Sequence, residues 1–532
     1  MKDWVIKLRK RLCGLPLLFA VLTASVSAAT YDVDSGFRPD ENGFAFINYG
    51  ERGCSDLLCV RSFPVVNLTV AEMVRLFGRD VCMNPTSDEP CRLSQVASVW
   101  MKSANDLMSN GHCEGISILA ALIYEGKIDP NRFGAEKVSD LILNGNQRLQ
   151  REIAYHYATQ LLTETLAIEE TPVELLRTLI HFFRENEHRV VQLGLYRRDT
   201  QLGHTVSAYG IQDMGDGIFR IMIYDSNYPS IERFITIDAK HDTWRYLGSS
   251  LPTTSNAIYS GEGIFNPIRR IVSPYSEIPY HCDFCPMTAG DTEPFVRITT
   301  NGKTNIFIAD NAGNKSGMDW KDGQTYDELE GVEFRRILGA NSATFPIDKR
   351  YYIWLNAPED RQWQRFPVSL TEPGSILTLT NALESYEYPT LTYQPANASQ
   401  EIPFESYDVL IAPVALPEIT YITINGEVET RVALQPELIA EGKAVPNLNI
   451  FILHDEEQGI IGFEIYAAND SDFQKWDAFT LRFHGSIELF DKDQSETLSL
   501  DSLEIPLEAS IDGAFFFNYL DWAKEGIFRM TI

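Results

Sequence analysis

The sequence predicts a multidomain chain. An α+β domain, in which a helix carrying a cysteine packs on an antiparallel sheet, is followed by all-β sandwich domains. Three observations predict this. Apolar residues recur at helical spacing after about residue 96, and the period turns strand-like from about 189 to 250. From about 293 onward, short strand signals separated by turn residues dominate. The length, 532 residues, suits three or so domains at about 150 residues each.

The chain opens with a basic start (Lys2, Lys7, Arg9, Lys10, Arg11) and a short apolar stretch, Leu12 to Ala24. Val26-Ser27-Ala28 reads as a small-residue cleavage site, so residues 1–28 are expected to be a signal peptide cleaved near Ala28-Ala29. An uncleaved amino-terminal anchor is the alternative. The expectation is an exported protein, periplasmic or extracellular. The net charge is −29, and loss of residues 1–28, with five basic groups and one acid, takes it to −33. So acidic a surface argues against nucleic-acid or anionic-lipid partners and for solubility.

Residues 29–95 are turn-rich and cysteine-paired, which predicts an amino-terminal disulfide-rich extension. Within the α+β domain, 96–250, a helix is expected after Cys113, with Ile116, Ala120 and Ile123 on its apolar face and Gly126 as its stop. A second helix is expected over Gln147–Ile168. Thr171-Pro172-Val173-Glu174 is a capping box with proline at the first helical position, which starts a third helix ending near Glu187. Arg189–Arg197, Thr205–Ile211, Ile218–Tyr224 and Ile231–Ile237 then read as successive strands. Residues 251–292, rich in Pro, Ser and Tyr, read as a connector. Strand signals such as Ile376–Thr380, Ile419–Ile424 and Leu481–Phe483 predict one or two immunoglobulin-like β-sandwiches, divided as 293–395 and 396–532 with a soft boundary near 396–405.

Of eight cysteines, Cys13 lies in the leader. Six others form close sequence pairs, Cys54 with Cys59, Cys82 with Cys91 and Cys282 with Cys285, which in an exported chain read as three local disulfides. Cys113 is left over. It stands in Gly111-His112-Cys113-Glu114-Gly115-Ile116-Ser117, where a loop enters a helix. Such a position offers unpaired N–H groups and the positive end of the helix dipole, which favour negative charge on sulfur. Downstream come Gly203-His204-Thr205 and Tyr224-Asp225-Ser226-Asn227-Tyr228-Pro229. A thiol, an imidazole and a carboxylate are the parts of a cysteine nucleophile, its base and the group that orients the base. A two-residue loop at Met214-Gly215 would set His204 directly opposite Asp225; a turn at Asp216-Gly217 would set it opposite Pro229. Asn227 is a substitute third member, and His112 is a rival base whose side chain should point away from the sulfur. The backbone N–H of Cys113 is one oxyanion donor, and Asn110, Asn105 or Gln95 is a candidate second.

Residues 96–250 resemble the papain-like cysteine peptidase superfamily, including its bacteriocin-processing-like branch of secreted bacterial members. Gly-His-Cys-Glu-Gly-Ile-Ser, Gly-His-Thr-Val-Ser-Ala-Tyr-Gly and Tyr-Asp-Ser-Asn-Tyr-Pro carry the resemblance. It implies Cys113 as nucleophile, His204 as base and Asp225 as orienter. One departure stands out: no glutamine precedes Cys113 at the short spacing where papain itself has its oxyanion donor.

His281-Cys282-x-x-Cys285 has the look of zinc ligands, but no second cluster stands nearby, and a disulfide is the better reading. Asp491-Lys492-Asp493 starts like a calcium loop, yet Glu496 occupies the required glycine position. No metal and no cofactor are expected. The expected activity is hydrolysis of peptide or amide bonds in a peptide or protein substrate, with the β-sandwiches binding substrate or a cell-surface or extracellular protein. A transglutaminase-like acyl transferase and a catalytically degenerate adhesion or binding protein are the alternatives.

Overall fold

The computed structural model describes residues 32–50, 64–83, 85–86, 89–109, 111–197, 203–248, 258–286, 295–301, 304–319, 324–337, 340–356, 366–382, 389–396, 405–411, 416–425, 428–439, 448–467, 479–491, 495–500, 503–507, 513–519 and 530–531. The expected signal peptide, the Cys54–Cys59 pair, Asn110 and the 492–494 segment lie outside them.

The first half is α+β. In chain order it comprises β1 (Val33–Asp34), α1 (Pro39–Asn42), α2 (Val70–Phe77), α3 (Gln95–Met108), α4 (Cys113–Tyr124), α5 (Gln147–Ala158), β2 (Leu166–Glu170) and α6 (Pro172–Glu185). Strands β3 (Val191–Tyr196), β4 (Gly203–Asp213), β5 (Ile218–Tyr224), β6 (Arg233–Asp238), β7 (Thr243–Leu247), β8 (Ile258–Glu262) and β9 (Ile268–Val272) follow. They form one antiparallel sheet in the order β2-β9-β3-β4-β5-β6-β7-β8, with β1 added beside β4.

The start signals work as their chemistry dictates. Ser94 caps α3 by accepting from the Ala97 N–H at 3.1 Å. The Thr171–Glu174 box caps α6 with Pro172 at its first position, and Gly126, at φ 71°, follows the end of α4. Helix α4 is buried along nearly its whole length, and Ile116 and Leu119 are fully enclosed. Each such side chain contributes about 1.5–3 kcal/mol. Gly115 is obligatory, because a Cβ there would lie 2.1 Å from the Ile153 carbonyl oxygen of α5.

Three expectations need correction. The helix foreseen over Gln147–Ile168 ends at Ala158, apart from a 3-10 turn, and Leu166–Glu170 is instead an edge strand paired with β9. Hydrogen bonding to a strand 100 residues away overrides an apolar pattern that fits a helix locally. Residues 29–95 are not a separate extension: Phe37, Phe44 and Tyr49 are buried in one core with α4, and Leu68, Met73, Leu76 and Phe77 in another with α3 and α5. The segment 251–292 is more than a connector, since it contributes β8 and β9, and β9 inserts between β2 and β3.

The second half is all-β among the described residues apart from short turns. Two ten-stranded antiparallel sheets face a single core that runs from Val296 to Tyr519. The expected boundary near 396–405 does not separate two cores. In one sheet Ser375–Ala382 pairs with Glu418–Asn425; in the other Leu391–Gln394 pairs with Glu405–Ile411. The expected sandwiches are thus fused edge to edge, which leaves neither with an unpaired strand edge at the junction.

The halves are locked together. Glu429 accepts from the Gln95 and Val96 N–H groups at the start of α3. Ile376 and Ile422 pack in one cluster with Phe77 and Phe284. Arg297 and Arg335 donate to the carbonyls of Leu161 and Leu162, at 2.9 and 3.0 Å. Disulfides join Cys82 to Cys91 and Cys282 to Cys285, and the latter leaves no ligand pair for zinc.

Candidate active site

Cys113 is the first residue of α4, and it is the free cysteine among the described residues. The chain enters the helix through Gly111, at φ 140°, where a side chain would collide with Asn48. Asn48 Oδ1 accepts the His112 N–H at 2.8 Å, and the Asn48 N–H donates to the Ser226 carbonyl at 2.9 Å. One asparagine therefore ties the cysteine loop to the loop that carries Asp225. Helix α4 is docked on β4 by Ser117 Oγ donating to the Thr205 carbonyl and Ser207 Oγ donating to the Ser117 carbonyl, both at 3.4 Å.

His204 lies at the start of β4. Its Nε2 is 2.7 Å from Asp225 Oδ1, and the Cys113 side chain is close enough to act on the proton affinity of the ring. With Nε2 turned to the carboxylate, Nδ1 is the nitrogen left for the sulfur. Asp225 is fully buried and His204 nearly so. Asp225 also accepts the Tyr246 hydroxyl on Oδ2 and the Asn227 N–H on Oδ1 at 2.8 Å. Asn227 Nδ2 is 3.4 Å from His204 Nε2, a flanking contact on a nitrogen already committed to Asp225.

The Cys113, His204 and Asp225 side chains therefore meet, but not by the expected register. Strand β4 pairs with β5 through Gln212↔Arg220 and Ile211↔Ile221, shifts near Tyr209, and ends at Ser207↔Tyr224. The connection is wider than either turn foreseen, with Gly215, Asp216 and Gly217 all at positive φ. Asp225 sits just past the end of β5, where the Tyr228 N–H returns to its carbonyl at 2.9 Å. That turn, rather than a cross-strand pairing, delivers the carboxylate to the imidazole.

Burial alone would lower the proton affinity of His204. The Asp225 charge and hydrogen bond, with the Cys113 sulfur, outweigh it and hold the imidazole well above its ordinary pKa. Burial alone would raise Asp225. The His204 charge and hydrogen bond, the Tyr246 hydroxyl and the Asn227 N–H instead hold it below the usual carboxylate range. The two shifts agree: the pair is an imidazolium facing a carboxylate. Such an arrangement can stabilise a thiolate and pass a proton to and from a leaving group.

The other foreseen residues sit elsewhere. His112 stacks on Tyr49, with ring centroids 4.2 Å apart, and its ring nitrogens bond the Tyr49 carbonyl and Asn67 Oδ1. It holds the loop and is not a rival base. Asn105 exchanges hydrogen bonds with the backbone of Leu68, donating to its carbonyl at 3.2 Å and accepting its N–H at 3.0 Å. That commits its amide to structure. Gln95 begins α3 against Glu429, about 20 Å of helix from the end that leads to Cys113, so it is no oxyanion donor. The Cys113 N–H, at the first helical position, has no partner within the helix.

Several site residues gave no sequence signal. Tyr196 and Ile271 form a small buried cluster with Cys113. Tyr259 lies 6.5 Å, ring to ring, from His204, and Tyr246 anchors Asp225. Ile271 and Tyr259 come from the segment read as a connector. Among the described residues no group of His, Cys, Asp and Glu could hold a metal ion, and no helix is long and apolar enough to cross a membrane. No family model, curated protein or solved structure matches this chain.

Proposed function

We propose that this protein is an exported thiol hydrolase of papain-like type, cleaving peptide or amide bonds through Cys113, His204 and Asp225. One observation carries the reading. The unpaired thiol at the first turn of a buried helix lies beside an imidazole, close enough to act on its proton affinity, and the Nε2 of that imidazole is held 2.7 Å from a fully buried carboxylate. Order along the chain, a cysteine helix followed by an antiparallel sheet bearing histidine and then aspartate, supports the papain-like assignment.

In this reading the Cys113 thiol has already passed its proton to His204 in the resting pair, and the thiolate attacks the scissile carbonyl. The C–N bond breaks and the amine leaves with the proton from His204, which leaves a thioester on Cys113. Water then gives a proton to His204 and its oxygen to the acyl carbon. The thioester breaks, and the acid departs. The Cys113 N–H donates to the oxyanion at both tetrahedral stages. Asp225 keeps the ring oriented and its charge balanced. The β-rich half serves as the platform that fixes α3 and as a surface for substrate or an extracellular protein.

One feature favours a second reading, acyl transfer to an amine. Cys113 is only 8% exposed, against Tyr196 and Ile271, and a water-poor site suits an acceptor other than water. Incubating the purified chain with a library of blocked peptides, with and without added primary amine, tests both. Free acids appearing in a Cys113-dependent way support hydrolysis, and amides formed in preference to acids support transfer. No product from any peptide, together with a thiol of ordinary reactivity, favours a degenerate binding protein.

A further inference from the structure

Glu114 follows Cys113 and is fully buried. Its Oε2 accepts the Thr205 hydroxyl and its Oε1 the Ser273 hydroxyl, the latter at 3.4 Å. Thr205 follows His204 on β4. Ser273 follows β9, whose Ile271 packs against Cys113. One carboxyl thus joins the helix that carries the thiol, the strand that carries the imidazole and the strand that walls the sulfur.

No cation is among the groups that act on Glu114. A buried carboxyl without a countercharge is expensive to ionise, and a glutamine would span the same two hydroxyls, its oxygen accepting from one and its amide nitrogen donating to the other. What the acid adds over an amide is a proton it can lose. The titratable groups around it are Cys113 on its own helix, Tyr157 on α5, which feels both Cys113 and Glu114, and His204 next to Thr205 on β4. Ser273, from the tail of β9, and Thr205 are neutral. A second negative charge here falls beside the sulfur and opposes a thiolate.

We infer that Glu114 is a positioning residue that also gates the site: protonated, it clamps the cysteine helix to the histidine strand and permits the thiolate, and ionised it suppresses it. Burial, opposed by the Thr205 and Ser273 hydrogen bonds, pushes its pKa up to about 7, so the gate works in the neutral range. The inference rests on the Cys113–His204 reading and concerns the regulation of that site.

The test is the pH profile of Cys113 alkylation by iodoacetamide in the full chain, wild type beside Glu114→Gln. At pH 5.5 the two should react at similar rates. Above neutral pH the variant should be the faster, by at most about tenfold, the ceiling set by one unit of charge interaction, and the wild-type inflection near neutral pH should be missing from it. Should Glu114→Gln fail to fold, Thr205→Val answers instead. Loss of the hydroxyl raises the proton affinity of Glu114, so the inflection moves to higher pH. Parallel profiles in wild type and Glu114→Gln, or an inflection unmoved in Thr205→Val, overturn the gate. If His204→Ala also leaves the profile unchanged, it is the Cys113–His204 reading that fails.

Discussion

Two regions bury carboxylates, and they treat them in opposite ways. At the candidate site Asp225 faces the imidazolium of His204 and is held below the usual carboxylate range. At the seam of the fused β-sheets, Glu372 and Glu405 lie against each other and against tyrosines. Glu372 accepts Tyr393 at 3.0 Å and Ser375 at 2.6 Å, and the Tyr407 hydroxyl lies against both acids. Burial, then the neighbouring Glu372, push Glu405 well above its ordinary value. Burial is common to both regions; the difference is the countercharge. A buried acid with a cation and a thiol in reach is equipped for chemistry. A buried acid among phenols is a polar seal across the junction of two sandwiches.

Four predictions sharpen or break that contrast, and the largest effect belongs to the thiol. Cys113→Ala should abolish both hydrolysis and alkylation while the melting temperature shifts little, because a small buried thiol loses little packing; residual turnover in that variant would place the chemistry elsewhere. Removing the base comes next. His204→Ala should lower turnover by about 10²–10⁴-fold, and Asp225→Asn by less, since the imidazole survives with its orientation disturbed. Combined with Cys113→Ala neither should add a further loss, because the three act as a unit. Equal, independent losses in the double variants would contradict a triad.

The pH dependence of stability should then run in opposite directions for the two buried acids. Asp225, depressed when folded, contributes stability that is present above about pH 4 and is lost as pH falls through its folded value. His204, raised when folded, contributes below about pH 6.5 and loses that contribution as pH rises through its folded value. Glu405 is raised, so the unfolded chain sheds its proton first and stability falls as pH climbs above about 4.5. Glu405→Gln should therefore be stabilising relative to wild type at pH 8 and close to neutral at pH 4, read by denaturant unfolding. A Glu405→Gln chain destabilised equally at both pH values would show that folding leaves the proton affinity of the acid unchanged. The smallest expected effect is at Tyr246. Tyr246→Phe removes one hydrogen bond to the Asp225 charge and should cost about 2 kcal/mol, with a modest fall in turnover and an acid limb moved to higher pH.

The contrast also bears on what the sequence made legible. Cys113 stood out because six cysteines paired off by spacing and it remained, and because its motif opens an apolar helix. His204 and Asp225 were legible by order, yet the register that joined them was not. Three consecutive positive-φ residues widen the Met214–Gly217 connection, and the residues of that loop do not announce it. The wall of the site was hidden. Strand β9 pairs with strands that precede it by about 70 residues or more, and its Arg269-Arg270 pair masks a buried strand. Arg269 lies 4.3 Å over the Tyr196 ring and pairs with Glu169, while Arg270 pairs with Glu170 at 2.9 Å. Glu114 looked like an ordinary first-turn acid complementing the helix dipole, and only the packing of three elements encloses it. In the second half, Ile376–Thr380 and Ile419–Ile424 were readable as strands. That they pair with each other across the expected boundary depends on long-range hydrogen bonding, which leaves no local trace.

The central claim, that an imidazolium holds the Cys113 sulfur ready for attack, is tested most directly by one measurement. It is the second-order rate of iodoacetamide with the native chain at pH 6, compared with the His204→Ala variant and with the rate at pH 9. An ordinary thiol, with a pKa near about 8.5, is scarcely thiolate at pH 6. The account predicts that Cys113 reacts at pH 6 within about tenfold of its rate at pH 9, and that His204→Ala removes the reactivity at pH 6 while sparing that at pH 9. A rate that climbs about tenfold per pH unit up to the ordinary thiol range, identical with and without His204, would contradict it.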